Sequence, residues 1–297
     1  MTARTEGPDP AGGPLPDTTG DSALADSWLR PQMLVFSLLG DHIYPDDRAL
    51  FSGSFIAVFE RLGIAEAAVR ATLTRMVRRG LLERHKRGRR MYFSMTDRCR
   101  DVIDGGRVRI WEHGAVNRSA DVPWTLLAFS MPEAWQRKRH SLRSRLTWAG
   151  FGPLQNGLWI APGAVDVSDI VDELDVADHV HLFRAEPVPP TDLAVAVRDA
   201  FDVDALAARY RAFLATWDRE DAAARLAAEP LALTLRLVTE WLQMLTDDPR
   251  VPVHLLDEDW PAVRAQELFL RLHAANYSAA ADEAAELFDT IELSGAA

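Results

Sequence analysis

From Ile64 to Thr96 the chain runs through a helix studded with arginine, a glycine stop and a second basic run, HKRGRRMYF, without interruption. A turn centred on Gly63 leads into it. In the helix expected from Glu66 to Arg79, Val69, Leu73, Met76 and Val77 fall at i, i+4, i+7 and i+8, one apolar stripe that must face a core. The opposite side then carries Ala71, Thr74, Arg75 and Arg78, with Arg70 on its flank. Small and hydroxyl side chains let such a face approach base-pair edges, and a guanidinium fork can reach guanine O6 and N7 or clamp a phosphate. Gly80 is placed to end the helix as a left-handed residue. Leu81-Leu82 anchors a strand, Arg87-Gly88-Arg89 forms a hairpin tip and Tyr92-Phe93 continues the returning strand. Lys86, Arg87, Arg89 and Arg90 at that tip are positioned to follow a sugar-phosphate backbone or minor groove and release condensed counterions.

A basic amphipathic helix taken alone is as readily a solvated surface. Its surroundings argue otherwise. Pro31 to Gly40 (PQMLVFSLLG) is expected as an apolar first helix and Ser54 to Leu62 (SFIAVFERL) as a second, with Gly63-Ile64-Ala65 before the third. Helix, helix, short turn, helix and basic hairpin make a winged helix-turn-helix. Arg70, Arg75, Arg78, Arg79, Arg84, Lys86, Arg87, Arg89 and Arg90 meet Glu83 alone as an acid across this stretch, in a chain of formal net charge -11. A cationic island on an acidic protein is the footprint of polyanion binding.

With 297 residues, 48% hydrophobic and 26% charged, the chain has room for two or three domains, expected as an α+β multidomain protein. No apolar run reaches the length of a membrane span, so no membrane partner is expected. Residues 1–27 lack an apolar signal-peptide core and are rich in Pro, Gly, Asp and Thr, so a disordered tail and a cytoplasmic location are expected. Cys99 has no cysteine partner for a disulfide or zinc site and is expected to be a buried, idle thiol. Nothing resembles a nucleophile elbow, a P-loop or a dinucleotide fingerprint, so no catalytic residue, metal or cofactor is expected.

The winged helix-turn-helix is expected over 28–97 and a connector over 98–122. Trp124 to Ser130 is expected as a buried strand, and Pro132 opens a helix that Gly150 closes. Asn156-Gly157 is a hairpin signal joining strands over Phe151 to Gln155 and Leu158 to Ala161. Ser168 is a candidate N-cap for the helix SDIVDELDV, and His179 to Ala185 makes a last strand. The order β-α-β-β-α-β predicts a ferredoxin-like middle domain over 123–187.

Arg137, Lys138, Arg139, His140, Arg143 and Arg145 form a second basic cluster on its first helix. A solvated face, a site for the phosphates of a coenzyme A thioester and an auxiliary DNA contact are the readings open to it. His179 and His181 share a strand face without a nearby carboxylate, which makes ordinary surface residues of them and not a metal site.

Pro187 to Pro190 is a stiff break, after which 188–297 reads as a helical C-terminal domain. Asp204 to Trp217, Leu231 to Leu245 and Ala262 to Tyr277 have helical periodicity. The intervening DDPRVPVHLLDEDWP, with three prolines, is an irregular loop of the kind that lines pockets, where His254, Asp257, Glu258, Asp259 and Trp260 are candidates. Helix caps and a packed tryptophan would explain the same residues. Arg139, Arg143, Trp159, His254 and Trp260 are the candidate effector-binding set.

LLGDHIYP (Leu38 to Pro45), LGIAEAAVRATLTRMVRRGLL (Leu62 to Leu82), RGRRMYFSMT (Arg87 to Thr96), RSRLTWAGFGPLQNGLWIAPG (Arg143 to Gly163) and DDPRVPVHLLDEDWPAVRAQELF (Asp247 to Phe269) occur in this order. By these motifs, from about Trp28 to Tyr277, the chain resembles the PaaX-type repressors, regulators of phenylacetic acid degradation and related aromatic catabolism. The resemblance implies an N-terminal winged helix-turn-helix, a middle domain like the endoribonuclease of CRISPR adaptation, and a helical C-terminal domain. It also implies a homodimer released from double-stranded operator DNA by an aryl-CoA thioester such as phenylacetyl-CoA. Carried over by position, Arg70, Thr74, Arg75 and Arg78 read DNA, and Arg87, Arg89 and Arg90 belong to the wing. Relatives often carry Gly-Trp-Leu where this chain has Gly80-Leu81-Leu82, a conservative change in packing.

A competing reading makes the middle domain a metal-dependent nuclease. That chemistry needs a carboxylate at the end of the first strand. The strand ends Ala128-Phe129-Ser130, and the nearest acid, Glu133, falls in the next helix. A further alternative keeps the DNA module in an activator, or in a regulator of another pathway with another effector.

Overall fold

The computed structural model describes residues 30–293. The tail expected over 1–27 and residue Trp28 lie outside them. Helix α1 (Pro31–His42) is buried from Met33 through Gly40 and is the floor of the N-terminal core. A short strand β1 (Arg48–Phe51) follows, then α2 (Ser52–Arg61) and α3 (Glu66–Arg78). Both of the latter end in the same closure. Gly63 and Gly80 sit at φ +78 and +68, and the N–H just beyond each returns to the carbonyl of Phe59 or Met76. Such a closure needs a left-handed residue, which glycine adopts without steric cost.

Strands β2 (Leu82–Arg87) and β3 (Arg90–Met95) form the hairpin, pairing Arg87 with Arg90 across a Gly88-Arg89 turn. The sheet is larger than the sequence suggests. β1 pairs antiparallel with β3, and a terminal strand β8 (Thr290–Glu292) pairs with β1, giving the order β2-β3-β1-β8. Strands of four and three residues carry too few side chains to show alternation, so neither was expected.

The stretch read as a connector begins as helix α4 (Asp97–Arg107). Thr96 caps it through a 3.2 Å bond from the Cys99 N–H, and Cys99 and Ile103 turn into the N-terminal core. The spacing of those two residues is helical, but a Gly105-Gly106 pair and a highly polar composition mask it. Burial pushes the Cys99 thiol up to about 12, so it stays protonated at neutral pH. A π-helical turn, Val108–His113, carries the chain on.

The middle segment has β4 (Trp124–Phe129), α5 (Gln136–Trp148), β5 (Gly152–Gln155), β6 (Leu158–Pro162), α6 (Ser168–Leu174) and β7 (Val180–Ala185). The sheet order is β5-β6-β4-β7 with every neighbour antiparallel, which is the expected β-α-β-β-α-β unit. A short 3-10 turn, Glu133–Trp135, precedes α5, so Pro132 does not open the helix directly. Nor is Ser168 the cap: Asp166 accepts both its N–H (2.9 Å) and its hydroxyl (2.6 Å). One sheet face packs Leu127, Phe129, Trp159 and Ala161 against Leu142 and Leu146 of α5. On the other, Trp124 and Ile160 join the core of the C-terminal helices.

Those helices are α7 (Leu193–Ala200), α8 (Val203–Trp217), α9 (Ala222–Ala228), α10 (Pro230–Asp247) and α11 (Pro261–Leu287). Their core is aromatic, with Trp241 stacked on Phe269 at 4.8 Å and Tyr210 and Phe213 around it. The 27 residues of α11 extend for about 40 Å. This length carries the C-terminal segment back to the N-terminal one. Leu231 and Leu235 of α10 and Ala284 of α11 share a core with α1, α2 and α3. Glu283 ties the two further, pairing with Arg61 and accepting the Leu231 N–H at 2.9 Å. The boundary drawn at 188 by composition therefore does not isolate a separate core.

Candidate nucleic-acid interface

On α3, Val69, Leu73 and Met76 are buried, Val77 is half-buried, and Thr72 joins them in the interior. Ala67, Arg70, Ala71, Arg75 and Arg78 are exposed and Thr74 is half-exposed, so the outward face is the one read from periodicity. Among the described residues Arg75 makes one hydrogen bond, 2.9 Å to the Thr72 hydroxyl, and no ion pair. Arg78 has no protein partner among the described residues. Arg70 pairs with Glu66 one turn back at 2.6 Å, and the Thr74 hydroxyl donates to the Arg70 carbonyl at 2.8 Å. An exposed pair of that kind is weak enough for a phosphate to displace.

The end of α3 is held firmly. The Thr96 hydroxyl reaches the Gly80 carbonyl at 2.8 Å, and the Arg98 guanidinium reaches the Arg79 carbonyl at 3.1 Å. These bonds join the helix to the root of the hairpin and so fix the angle between them. Out along the hairpin, Arg84, Lys86, Arg87 and Arg89 are exposed, continuing the cationic surface of α3. Arg90 is placed differently. Its guanidinium pairs with Asp289 and lies 5.3 Å from the Phe51 ring centre, so it belongs to the fastening of the C-terminal strand. The partner is too distant in sequence for any local pattern to have flagged it.

The five candidate effector residues are not gathered around one cavity. Arg139 donates to the carbonyl of Met131 at 2.8 Å, and Arg143 lies over Phe129 at 6.0 Å. Trp159 is buried beneath α5, Trp260 packs at 6.4 Å from Tyr210, and His254 is exposed in a 3-10 turn. Residue type and nearby loop signals chose them, and neither fixes where a side chain points. A cavity of about 610 Å³ does exist, between Val108 to Asn117, the end of α5 with β5, and the ends of α7 and α10. Its cations are Arg109, Arg209 and Arg250, missed because they come from three separate segments. Of the three, Arg250 alone, in the DDPRVPV run, lay in the stretch that the sequence had singled out as pocket-lining.

Glu133 stands in the 3-10 turn beyond β4, and among the described residues no group of three His, Cys, Asp or Glu side chains is arranged to hold a metal. No helix among them is long and apolar enough to cross a membrane.

An outward arginine face beside a cationic hairpin, on a chain that is acidic overall, is the surface of a polyanion-binding protein. Three family models cover the chain in order: "PaaX-like protein" over residues 30–99, "PaaX protein central Cas2-like domain" over 117–197 and "PaaX-like protein C-terminal domain" over 201–286. The chain belongs to the PaaX family. It is 26% identical over 252 residues to the transcriptional repressor PaaX of Escherichia coli K12, covering 81% of this chain and 78% of that protein. Among solved structures it is similar in fold to the uncharacterised protein Rv0674 from Mycobacterium tuberculosis. That match has a TM-score of 0.55 and 22% identity, and covers 86% of this chain and 99% of the other.

Proposed function

We propose that the chain is a DNA-binding transcriptional repressor in which α1 to α3 and the β2–β3 hairpin act as a winged helix-turn-helix. As a member of the PaaX family it is a regulator and not an enzyme. Helix α3 enters the major groove with Arg75 and Arg78 toward the base edges, and Lys86, Arg87 and Arg89 follow the adjoining backbone. A homodimer reads a pseudo-palindrome, because two-fold symmetry in the protein is matched by symmetry in the operator. Such a partner puts the chain in the cytoplasm, at an operon for the degradation of phenylacetate or a related aromatic acid. The observation that carries this reading is the state of Arg75 and Arg78, both outward and, among the described residues, both free of ion pairs.

An aryl-CoA thioester that favours a non-binding arrangement would release the operator by differential affinity for the two states. Helix α11 supports this, since it spans from Gln266, which accepts the N–H groups of Ala115 and Val116 at 2.7 and 3.1 Å, to the strand that closes the hairpin's sheet. Selection of bound duplexes from a random pool, followed by anisotropy titration of the winner, tests the function. A symmetric consensus bound at least about a thousandfold more tightly than random duplex supports it. Recovery of no consensus, with equal affinity for all duplexes, would overturn it.

A further inference from the structure

The cavity at the junction of the three segments is lined by Arg109, Arg209 and Arg250 and by Asp202, Asp247 and Asp248, and two of its arginines keep spare donors. Arg109 donates through Nη1 to the carbonyls of Leu245 and Thr246, at 3.1 and 3.3 Å. Arg250 donates through Nε to the Gly114 carbonyl at 3.1 Å and through Nη2 to that of His113 at 3.0 Å. Among the described residues neither guanidinium has a carboxylate as a hydrogen-bonding partner. A guanidinium carries five N–H donors, so Arg109 keeps Nε and Nη2, and Arg250 keeps Nη1, without a protein acceptor among the described residues.

The acids on the wall hydrogen-bond to groups other than these two guanidiniums, although Asp247 and Asp248 act on Arg109, and Asp248 on Arg250, by charge. Asp247 is taken by Arg209 at 2.8 Å, and Asp202 caps α8 by accepting the Ala205 N–H at 3.0 Å. Asp248 is buried, accepts the Tyr210 hydroxyl and the Arg250 N–H, and burial pushes its carboxyl above the usual range. Burial, and after it the neighbouring Arg250, holds the Arg109 guanidinium below its ordinary value. Two half-buried guanidiniums thus keep donors that no described protein group takes, and an anion in the cavity would satisfy them.

Shape and strain point the same way. Trp148, 46% exposed at the end of α5, and Phe201 line the cavity with flat apolar surface. Arg250 holds φ +58, a left-handed conformation that costs a branched-out residue energy and collects at ligand sites. Gly152, also on the wall, lies so close to Ala200 that a Cβ there would meet its carbonyl oxygen at 2.3 Å. The volume is that of a pocket for a small organic ligand.

We propose that this cavity binds an organic oxyanion, with its carboxylate or phosphate held between Arg109 and Arg250 and a flat ring laid against Trp148 and Phe201. The assignment rests on the ligand-responsive regulator reading and gives the effector a place: contacts from three segments at once let a ligand favour one arrangement of them.

The test is calorimetric titration of the full chain, without DNA, with three probes: sodium phenylacetate, coenzyme A and inorganic phosphate. Binding of phenylacetate alone identifies a carboxylate ligand, and binding of coenzyme A or phosphate identifies a phosphate ligand. In either case Arg250→Gln and Trp148→Ala are each expected to weaken binding tenfold or more. Trp148 lies outside the buried core, at 46% exposure, so its variant is expected to keep the fold, which an unchanged melting temperature verifies. No heat from any probe, or equal affinity in wild type and both variants, would overturn the proposal. The regulator reading fails separately, through loss of a DNA consensus in protein that still binds a probe.

Discussion

Arg90, on the strand returning from the hairpin tip, forms an ion pair with Asp289, 199 residues further along the chain, and the Tyr92 hydroxyl donates to the same carboxylate at 3.1 Å. The β2–β3 hairpin is thereby fastened to the end of α11. A cation already neutralised by the protein releases few counterions on DNA. Arg89→Ala is therefore expected to reduce the slope of log affinity against log salt by about 1, and Arg90→Ala by clearly less. Asp289→Ala frees Arg90 and should steepen the slope. Anisotropy titrations across a salt series decide this; equal losses in Arg89→Ala and Arg90→Ala would mean that Asp289 yields Arg90 to the DNA.

Arg75→Ala and Arg78→Ala are each expected to cost about 1 to 3 kcal/mol in binding to the selected operator. Their effect on stability should be small, because both side chains are exposed and, among the described residues, without ion pairs. Parallel urea unfolding separates the two quantities. Full operator affinity in both variants would remove α3 as the reading helix.

Gly80 has open space around its Cα, with nothing within 4 Å of an added Cβ, yet φ is +68. Gly80→Ala should consequently destabilise the fold by about 1 to 2 kcal/mol through the backbone alone. Gly80→Asn should lose less, since Asn tolerates the left-handed region better. If thermal unfolding ranks alanine above asparagine, the helix closure has another origin.

At the end of α1, burial raises the Asp41 carboxyl to about 7, and burial, helped by His273, lowers His42 to about 4. Between pH 4 and 7 the native state holds the Asp41 proton that the unfolded chain has released, so this group's contribution falls as pH rises. His42 acts in reverse: from pH 6.5 down to 4 the unfolded chain gains a proton that the native state refuses, so its contribution falls on acidification. The two slopes oppose. Relative to wild type, Asp41→Asn should gain stability as pH rises through this window and His42→Gln should lose it. Urea midpoints at several pH values read the sign, and a shared sign in the two variants would contradict the account.

Local repetition made part of this molecule legible. Val69, Leu73 and Met76 betray the buried side of α3 because helical spacing is a short-range signal, and that side fixes where Arg75 and Arg78 point. Asn156-Gly157 likewise announced the β5–β6 turn and, with it, the order of the middle sheet. Closure by β8 was hidden, because three residues at Thr290–Glu292 acquire meaning only through Arg48, Ala49 and Leu50. The cavity was hidden for the same reason. Arg109, Arg209 and Arg250 each look like an ordinary surface cation until the helices bring them to one wall.

The pairing of β8 with β1 also orders events in time. Ser54 accepts the Asp289 N–H across a separation of 235 residues, a stretch that a ribosome takes on the order of ten to fifty seconds to make. Throughout that interval the nascent chain presents β1 with an unpaired edge, the kind of edge to which chaperones and stray strands attach. The N-terminal sheet, though synthesised early, is thus among the last parts to be finished, and a chain cut short before Thr290 would carry a β2–β3 hairpin that is not yet anchored.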